Sequence, residues 1–524
     1  MTLAIALVAS ALADSGPAPT SNVYTNTADI RELLWDGEVL WAATGGGLEA
    51  WSADGQLLAT VNEGLPGTSL TSVGLHLGQL TLGFELQGAV AWDGEGWETV
   101  LAPGENLDGT VVATLPEQLA LRGDAPGLVS DAVVFQGQTV LGTLHGQLHV
   151  GEQVIELGCP ITDLSADVDQ LRVACMFTSW TMDERGLVEV GLPATAAHPG
   201  AWGLRDGKVL TEEGVAASVP GRITSLARLP EGWAVGTEAG LYLVDDHGHR
   251  RLTPEGQICG NFITGAATFR GELLVTTFED GACRFDGQRW WDIEHMPSAL
   301  MNDVVVHEDE AWFATSAGLV RWDGQVIEEH HPSGWRVPRG QPGLNHDSVT
   351  ALASGSGRLW VSDVLGPVSM AEGEYWRRHR LSVFGTSYQA VAACGEQAWV
   401  ASEDAGVSHW TGRSWRHHDG TSGLPDDWAM AVACEGQQAW AGTYRDGVWR
   451  WDGRSWTEIP GVDPWILSVA KAPEALYVGT MDGLYRLGEE VQRLEAPDPR
   501  VHQISVEEGL LLVGTEGGLL VRAR

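Results

Sequence analysis

Lysine is nearly missing from this chain of 524 residues: only Lys208 and Lys471 are present, and the net charge is −39. A surface so acidic repels nucleic-acid phosphates and anionic lipid, so nucleic acid is excluded as a partner. After the first residues no stretch offers 18 consecutive apolar residues, which excludes membrane insertion of the mature chain by a helix. No 3.6-residue apolar pattern runs beyond ten residues there, so helices are expected to be scarce. There is no Cys-x-x-Cys, which argues against structural zinc. G-x-S-x-G, H-E-x-x-H, a P-loop and an EF-hand loop are also missing. No catalytic residue, metal ligand or cofactor is therefore assigned.

What is present is a repeat. A short apolar strand, a turn with Gly, a second strand and often Trp-Asp-Gly recur along the chain. "WAGTYRDGVWRWDGRSW" (440–456) is the cleanest copy, and "WAVGTEAGLYLV" (233–244) and "LLVGTEGGLLVR" (511–522) are close to it. Turn glycines at 47, 88, 146, 240, 281, 318, 366, 406, 447, 483 and 518 mark the period, mostly 35 to 48 residues. The step from Gly146 to Gly240 spans about two periods and holds one degenerate copy. A β-rich repeat of roughly 40 residues signals propeller blades. Each unit reads as four strands, A to D, with Asp-Gly as a hairpin signal before D. The fold class is all-β, a β-propeller of about twelve four-stranded blades.

Twelve blades exceed the usual four to eight of one ring. Two tandem rings of six are expected, or seven plus six. Residues 111–126 and 178–199 are extra sequence, each a loop or a worn-down blade. The expected organisation is a signal peptide at 1–13, a linker at 14–20, a first propeller at 21–286 and a second at 287–524. The last copy lacks strand D, and "SNVYTNT" (21–27) reads as a spare D that closes a ring by strand exchange.

"MTLAIALVASALADS" ends its apolar run in Ala11-Leu12-Ala13, a small-x-small cleavage pattern, although no basic residue precedes it. Export to the periplasm or beyond is the expectation. Six cysteines fit an oxidising compartment. Cys159 and Cys175 bracket one strand A, and Cys259 and Cys283 another; both pairs are candidate disulfides. Cys394 and Cys434 occupy matching positions in adjacent blades and are expected to lie too far apart to bond.

Of the 24 tryptophans, most fall on repeat positions, Trp41, Trp312, Trp360, Trp399 and Trp440 on strand B among them. Packing between blades accounts for these. Off the register stand Trp335, Tyr388, Trp428 and Trp465, the last three at or just before strand A, where a propeller rims one mouth of its channel. Arg336 and Arg339 accompany Trp335. They belong to a basic island with Arg377, Arg378, Arg380, Arg413 and Arg416 and with His330, His331, His379, His417 and His418. This island reads either as an anion-binding patch or as solvated D strands balancing nearby acids. The candidate ligand-binding residues are Trp335, Tyr388, Trp428, Trp465, Arg336 and Arg339.

"GLPDDWAMAVACEGQQAWAGTYRDGVWRWDG" (423–453), "NEGLPGTSLTSV" (62–73) and "GLVSDAVVFQGQTVLGTLHGQL" (127–148) resemble the two-component regulator propeller repeat. The resemblance covers nearly the whole chain. It implies a propeller array of the kind that forms periplasmic, glycan-detecting sensor parts of hybrid histidine kinases, here without kinase or membrane segments. The expected function is non-catalytic binding of a glycan or a partner protein at a ring mouth. Alternatives are a propeller-type polysaccharide lyase or hydrolase, and a structural scaffold in an envelope assembly.

Overall fold

The computed structural model describes residues 21–524 apart from 63, 77, 85–87, 102–112, 115–118, 121–128, 246, 326, 331–343, 345, 365–367, 374, 380, 382–386 and 508. The expected signal peptide and linker, Trp335, Arg336, Arg339, Arg380 and His331 lie outside the described residues. Thirteen four-stranded antiparallel sheets make up the chain, with one two-stranded hairpin and a single short 3₁₀ turn among the described residues. They divide into two compact units, Asn26–Glu255 and Gly256–Arg524, the latter joined by residues 21–25. The boundary falls one blade earlier than 286/287.

The first unit holds six blades, at 30–61, 70–101, 129–156, 161–189, 194–218 and 223–251. Inner strand A packs beside the next at every step except that from 70–101 to 129–156, and the A strands of 223–251 and 30–61 meet to close the ring. A hairpin pairing Ala113 with Ala120 sits between the A strands of 70–101 and 129–156. Among the described residues of 111–126, this hairpin of Ala113–Thr114 and Leu119–Ala120 stands between two full blades. The stretch 178–199 is neither loop nor remnant. It supplies strands Ser179–Asp183 and Gly186–Glu189 and the next strand A, Ala194–His198. Two compact copies, not one, occupy the interval from Gly146 to Gly240, because short turns shorten their period.

The second unit is a ring of seven: 263–292, 301–330, 349–379, 388–418, 429–459, 466–494, and 501–523 completed by Ser21–Tyr24. Strand exchange takes the expected form. Val23 pairs with Leu520, and the Tyr24 ring lies 5.1 Å from Phe285 and 5.3 Å from Trp290. The closing strand serves the second ring, and the described residues make six full blades in the first ring and seven in the second.

The repeated letters have distinct physical roles. Strand B is buried along its length, as in Leu40–Thr44 and Leu476–Thr480, because both faces meet neighbouring blades. Strand D faces water, as in Gly248–Arg251. The Thr ending strand B donates its hydroxyl across the B–C turn, Thr237 Oγ1 to Gly240 O at 2.9 Å and Thr480 Oγ1 to Gly483 O at 3.0 Å. In Trp-Asp-Gly the Asp carboxylate accepts two backbone N–H groups, as Asp452 does from Arg454 and Ser455 at 2.8 Å each. Only the glycine takes positive φ, +99° at Gly453.

The Gly before that Thr has a different role. A Cβ at Gly236 would lie 2.6 Å from Ile30 Cγ2, and one at Gly514 would lie 2.8 Å from Ile263 Cγ2. Ile30 and Ile263 open the first strand A of their rings, so these glycines sit where each ring closes.

All three cysteine pairs are disulfides. Cys394–Cys434 corrects the expectation that this pair is too distant: its Cα atoms are 6.0 Å apart. Equivalent positions on adjacent inner strands become neighbours once the sheets are arranged radially.

The described members of the basic island divide between surface and core. Arg377, Arg378 and Arg416 lie exposed on D strands, whereas His379 and His418 are buried among tryptophans. His379 lies 4.6 Å from Trp410, His409 stacks on Trp399 at 3.8 Å, and Trp456 Nε1 donates to His418 Nδ1 at 3.3 Å. Burial, and secondarily neighbouring cations, depresses His379, His409 and His418 to about 4.

Two predictions follow from this packing. Gly236→Ala and Gly514→Ala should each destabilise their own ring by about 1–3 kcal/mol through overpacking; unchanged urea midpoints would mean that the rings do not close through these contacts. The three histidines stay neutral in the folded ring while the unfolded chain gains protons below about 6.5. Their contribution to the second ring is thus complete above pH 6.5 and lost progressively as pH falls towards 4. His409→Phe should flatten that loss, and an unaltered pH profile in chemical denaturation would refute the assignment.

Candidate functional site

All inner strands of a ring run in the same sense, so the residues just before them gather at one mouth. In ten blades such a residue is tied to the residue just after strand B of its own blade. Tyr444 N donates to Trp428 O at 2.9 Å, Met481 N to Trp465 O at 3.1 Å, Phe278 N to Phe262 O at 2.9 Å and Ser316 N to Leu300 O at 3.1 Å. Short side-chain turns fix the two tryptophans: Trp428 N donates to Asp426 Oδ1 at 3.0 Å and Trp465 N to Asp463 Oδ1 at 2.9 Å.

In the second ring these paired positions are largely aromatic or apolar. Trp428 stacks on Tyr444 at 4.3 Å, and Trp465 meets Tyr444 edge-on at 4.9 Å. Phe262 stacks on Phe278 at 5.0 Å. Phe278, Leu300, Trp465 and Met481 are 47, 45, 41 and 40% exposed. Around the ring these belong to blades 429–459 and 466–494 on one side and 263–292 and 301–330 on the other. Between them blade 501–523 places a charged cluster. Arg500 Nη1 lies 2.7 Å from Glu516 Oε2, and His502 Nε2 lies 2.8 Å from Glu516 Oε1. The B–C turns add the exposed carboxylates Glu279, Asp280, Asp446 and Asp482. Arg445 pairs with Asp426 at 3.3 Å and Arg493 with Asp482 at 3.3 Å. The mouth is an apolar crescent inside an acidic border.

Of the residues singled out in the sequence, Trp428 and Trp465 meet here. Tyr388 does not: it is 4% exposed in the core between blades. Tyr388 is the first residue of strand A, paired with Ser402, whereas Trp428 and Trp465 precede theirs. One residue along a strand turns the side chain to the other face. Tyr444, Met481, Phe262, Phe278 and Leu300 were missed. Tyr444, Met481 and Phe278 were signalled by their place directly after a strand B ending in Thr, in "GTY", "GTM" and "TTF".

The same positions in the first ring are mostly polar or small, as in Asp29 with Gly45 and Arg222 with Glu238. That ring instead encloses a channel cavity of about 680 Å³, lined by Glu32, Asp131, Asp163, His198 and Arg222 among others. A β-bulge follows the first residue of strand A and aims the carboxylates at the next blade. Glu32 accepts from Val73 N at 2.9 Å, Asp131 from Leu164 N at 2.6 Å and Asp163 from Ala197 N at 2.7 Å. Burial, and then the Asp131 charge, pushes Glu32 up to about 8; the same causes hold Asp163 well above the usual carboxylate range. Among the described residues no group of His, Cys, Asp or Glu is arranged to hold a metal ion.

No protein-family model and no curated protein matches the chain. Solved structures do. An ancestral GH74 enzyme aligns over 97% of this chain and 98% of its own at 11% identity, with a TM-score of 0.63. PorZ, a surface component of the type-IX secretion system of Porphyromonas gingivalis, aligns over 96% and 87% at 13% identity, with a TM-score of 0.59. The extracellular domain of a putative hybrid two-component system from B. thetaiotaomicron aligns over 94% and 69% at 14% identity, with a TM-score of 0.43. The chain is an all-β protein of two consecutive propellers. At these identities the likeness is one of fold.

The channel carboxylates set a pH response with a defined sign. A carboxyl raised in the folded ring keeps its proton while the unfolded chain releases it, so first-ring stability should rise as pH falls from about 8 towards 5. The slope is about 1.4 kcal/mol per pH unit for each proton retained. Glu32→Gln should remove its share of that slope, read by urea denaturation across the range; an identical slope would show that Glu32 ionises normally.

Proposed function

We propose that this is an exported, non-catalytic binding protein that grips a glycan or a partner protein at the aromatic mouth of its second ring. The observation that carries the reading is the exposure of Trp465, Met481, Phe278 and Leu300 together at one rim. Solvent-exposed apolar groups gathered in one place mark recognition surfaces. Loops held by a rigid scaffold are where binding residues concentrate. Three disulfides support an oxidising compartment. No helix among the described residues is long and apolar enough to cross a membrane.

The channel carboxylates favour a structural role over a catalytic one. Glu32, Asp131 and Asp163 each have an oxygen engaged by a backbone N–H of the next blade.

The test is a double variant, Trp465→Ala with Met481→Ser, compared with the intact protein on a glycan array and in pulldowns from envelope extract. Binding should drop at least tenfold with the thermal midpoint unchanged. Retained binding would move the site elsewhere. A parallel loss of binding and stability would assign both residues to packing.

A further inference from the structure

The mouth of the second ring has two properties that together narrow its occupant. Its apolar surface is not a flat aromatic platform alone. Leu300 and Met481 contribute beside Trp465 and Phe278, at 45 and 40% exposure. Aliphatic and thioether side chains offer little to the hydroxyl-rich faces of a sugar. They fit the apolar side chains of a polypeptide, and Met and aromatics are enriched where proteins meet. The second property is charge. Glu279 and Asp280 follow Phe278, Asp446 follows Tyr444 by two residues, and Asp482 follows Met481; all four are exposed. The three arginines nearby are engaged: Arg445 with Asp426, Arg493 with Asp482, and Arg500 with Asp498 and Glu516. The mouth thus keeps an acidic field, and the whole chain adds to it at −39.

Resting on the reading that this mouth is the binding site, we infer that its occupant is a polypeptide segment that inserts apolar side chains into the crescent and carries Lys or Arg on its flanks. The apolar anchors supply most of the affinity by leaving water. The flanking cations steer association and exclude acidic competitors. Such a segment needs no fixed secondary structure, because the crescent is interrupted by the Arg500–Glu516–His502 cluster. Two anchors separated by a polar or charged stretch match that interruption.

The experiment uses the intact protein and three series of synthetic peptides. Each carries the same two anchors, Phe and Leu, with flanks of Lys, Ser or Asp. Soluble neutral β-glucan and xylo-oligosaccharide serve as glycan probes. Affinity is read by calorimetry and by tryptophan fluorescence. Lys-flanked peptides should bind at least tenfold more tightly than Asp-flanked ones. Raising the salt from 50 to 300 mM should narrow that gap by screening the border. Trp465→Ala, and independently Met481→Ser, should weaken Lys-flanked binding at least tenfold. Glu279→Gln with Asp446→Asn should reduce the Lys-over-Asp preference.

Equal affinity for the three series, or no peptide binding, overturns the inference. Glycan binding that is lost in Trp465→Ala, without peptide binding, overturns it too while leaving the mouth as the site. Peptide binding that neither Trp465→Ala nor Met481→Ser alters overturns both this inference and the reading beneath it.

Discussion

The fit between consecutive blades at the head of the inner strand is the constraint on which the architecture depends. An apolar residue, often Ile, opens strand A and presses on the preceding blade where its strand B has Gly before Thr. The approach is too close for a Cβ. The contact is present at three seams of each ring, the two closing ones included, at Gly236 against Ile30 and at Gly514 against Ile263. Immediately after it the strand bulges, and the bulged residue reaches across the same seam. At four first-ring seams that residue is Glu32, Asp131, Asp163 or Ser225, and each accepts a backbone N–H from the next inner strand. Asp303 does the same in the second ring, accepting from Leu352 N at 2.8 Å. Apolar closeness and polar satisfaction thus act at one place, which is why the seams tolerate buried carboxyls.

The two rings put this common seam to different ends. The first retains acidic groups along its channel and polar groups at its mouth. The second replaces several bulge positions by Ala, as at Ala351, Ala390 and Ala431, and moves its side-chain chemistry outward. Tryptophan and histidine alternate through its blade interfaces, and aromatic residues crown its mouth. The neutral histidines there and the protonated carboxyls of the first ring are opposite responses to the same cost, that of holding a charge away from water.

Much of the architecture was readable from spacing alone. Gly-Thr, Trp-Asp-Gly and the continuous apolar strand B announce a four-stranded blade because each letter has a local cause. The hydroxyl bridges one turn, the carboxylate caps another, and the apolar run is covered on both faces. The missing strand D at the end of the chain, matched by a spare strand near its start, announced closure by exchange. One of the two copies with shortened turns, 161–189 and 194–218, escaped the period because turn length carries no core contacts. The described strands Ala113–Thr114 and Leu119–Ala120 carry no repeat letter. The assignment of Tyr388 to the rim failed by a single residue, since the face a strand residue presents depends on a register that spacing of about 40 residues does not define.

The sequence by itself determined the blade, because its strand alternation, turn residues and glycine positions are local requirements of backbone and side-chain geometry. Only the tertiary structure decided how many blades each ring holds, which ring the N-terminal strand completes, that Cys394 meets Cys434, and that Tyr444, Met481 and Phe278 join the tryptophans at one mouth. Those outcomes depend on which blades become neighbours when a ring closes. Closure sums small rotations over a whole unit, a quantity that no single repeat encodes.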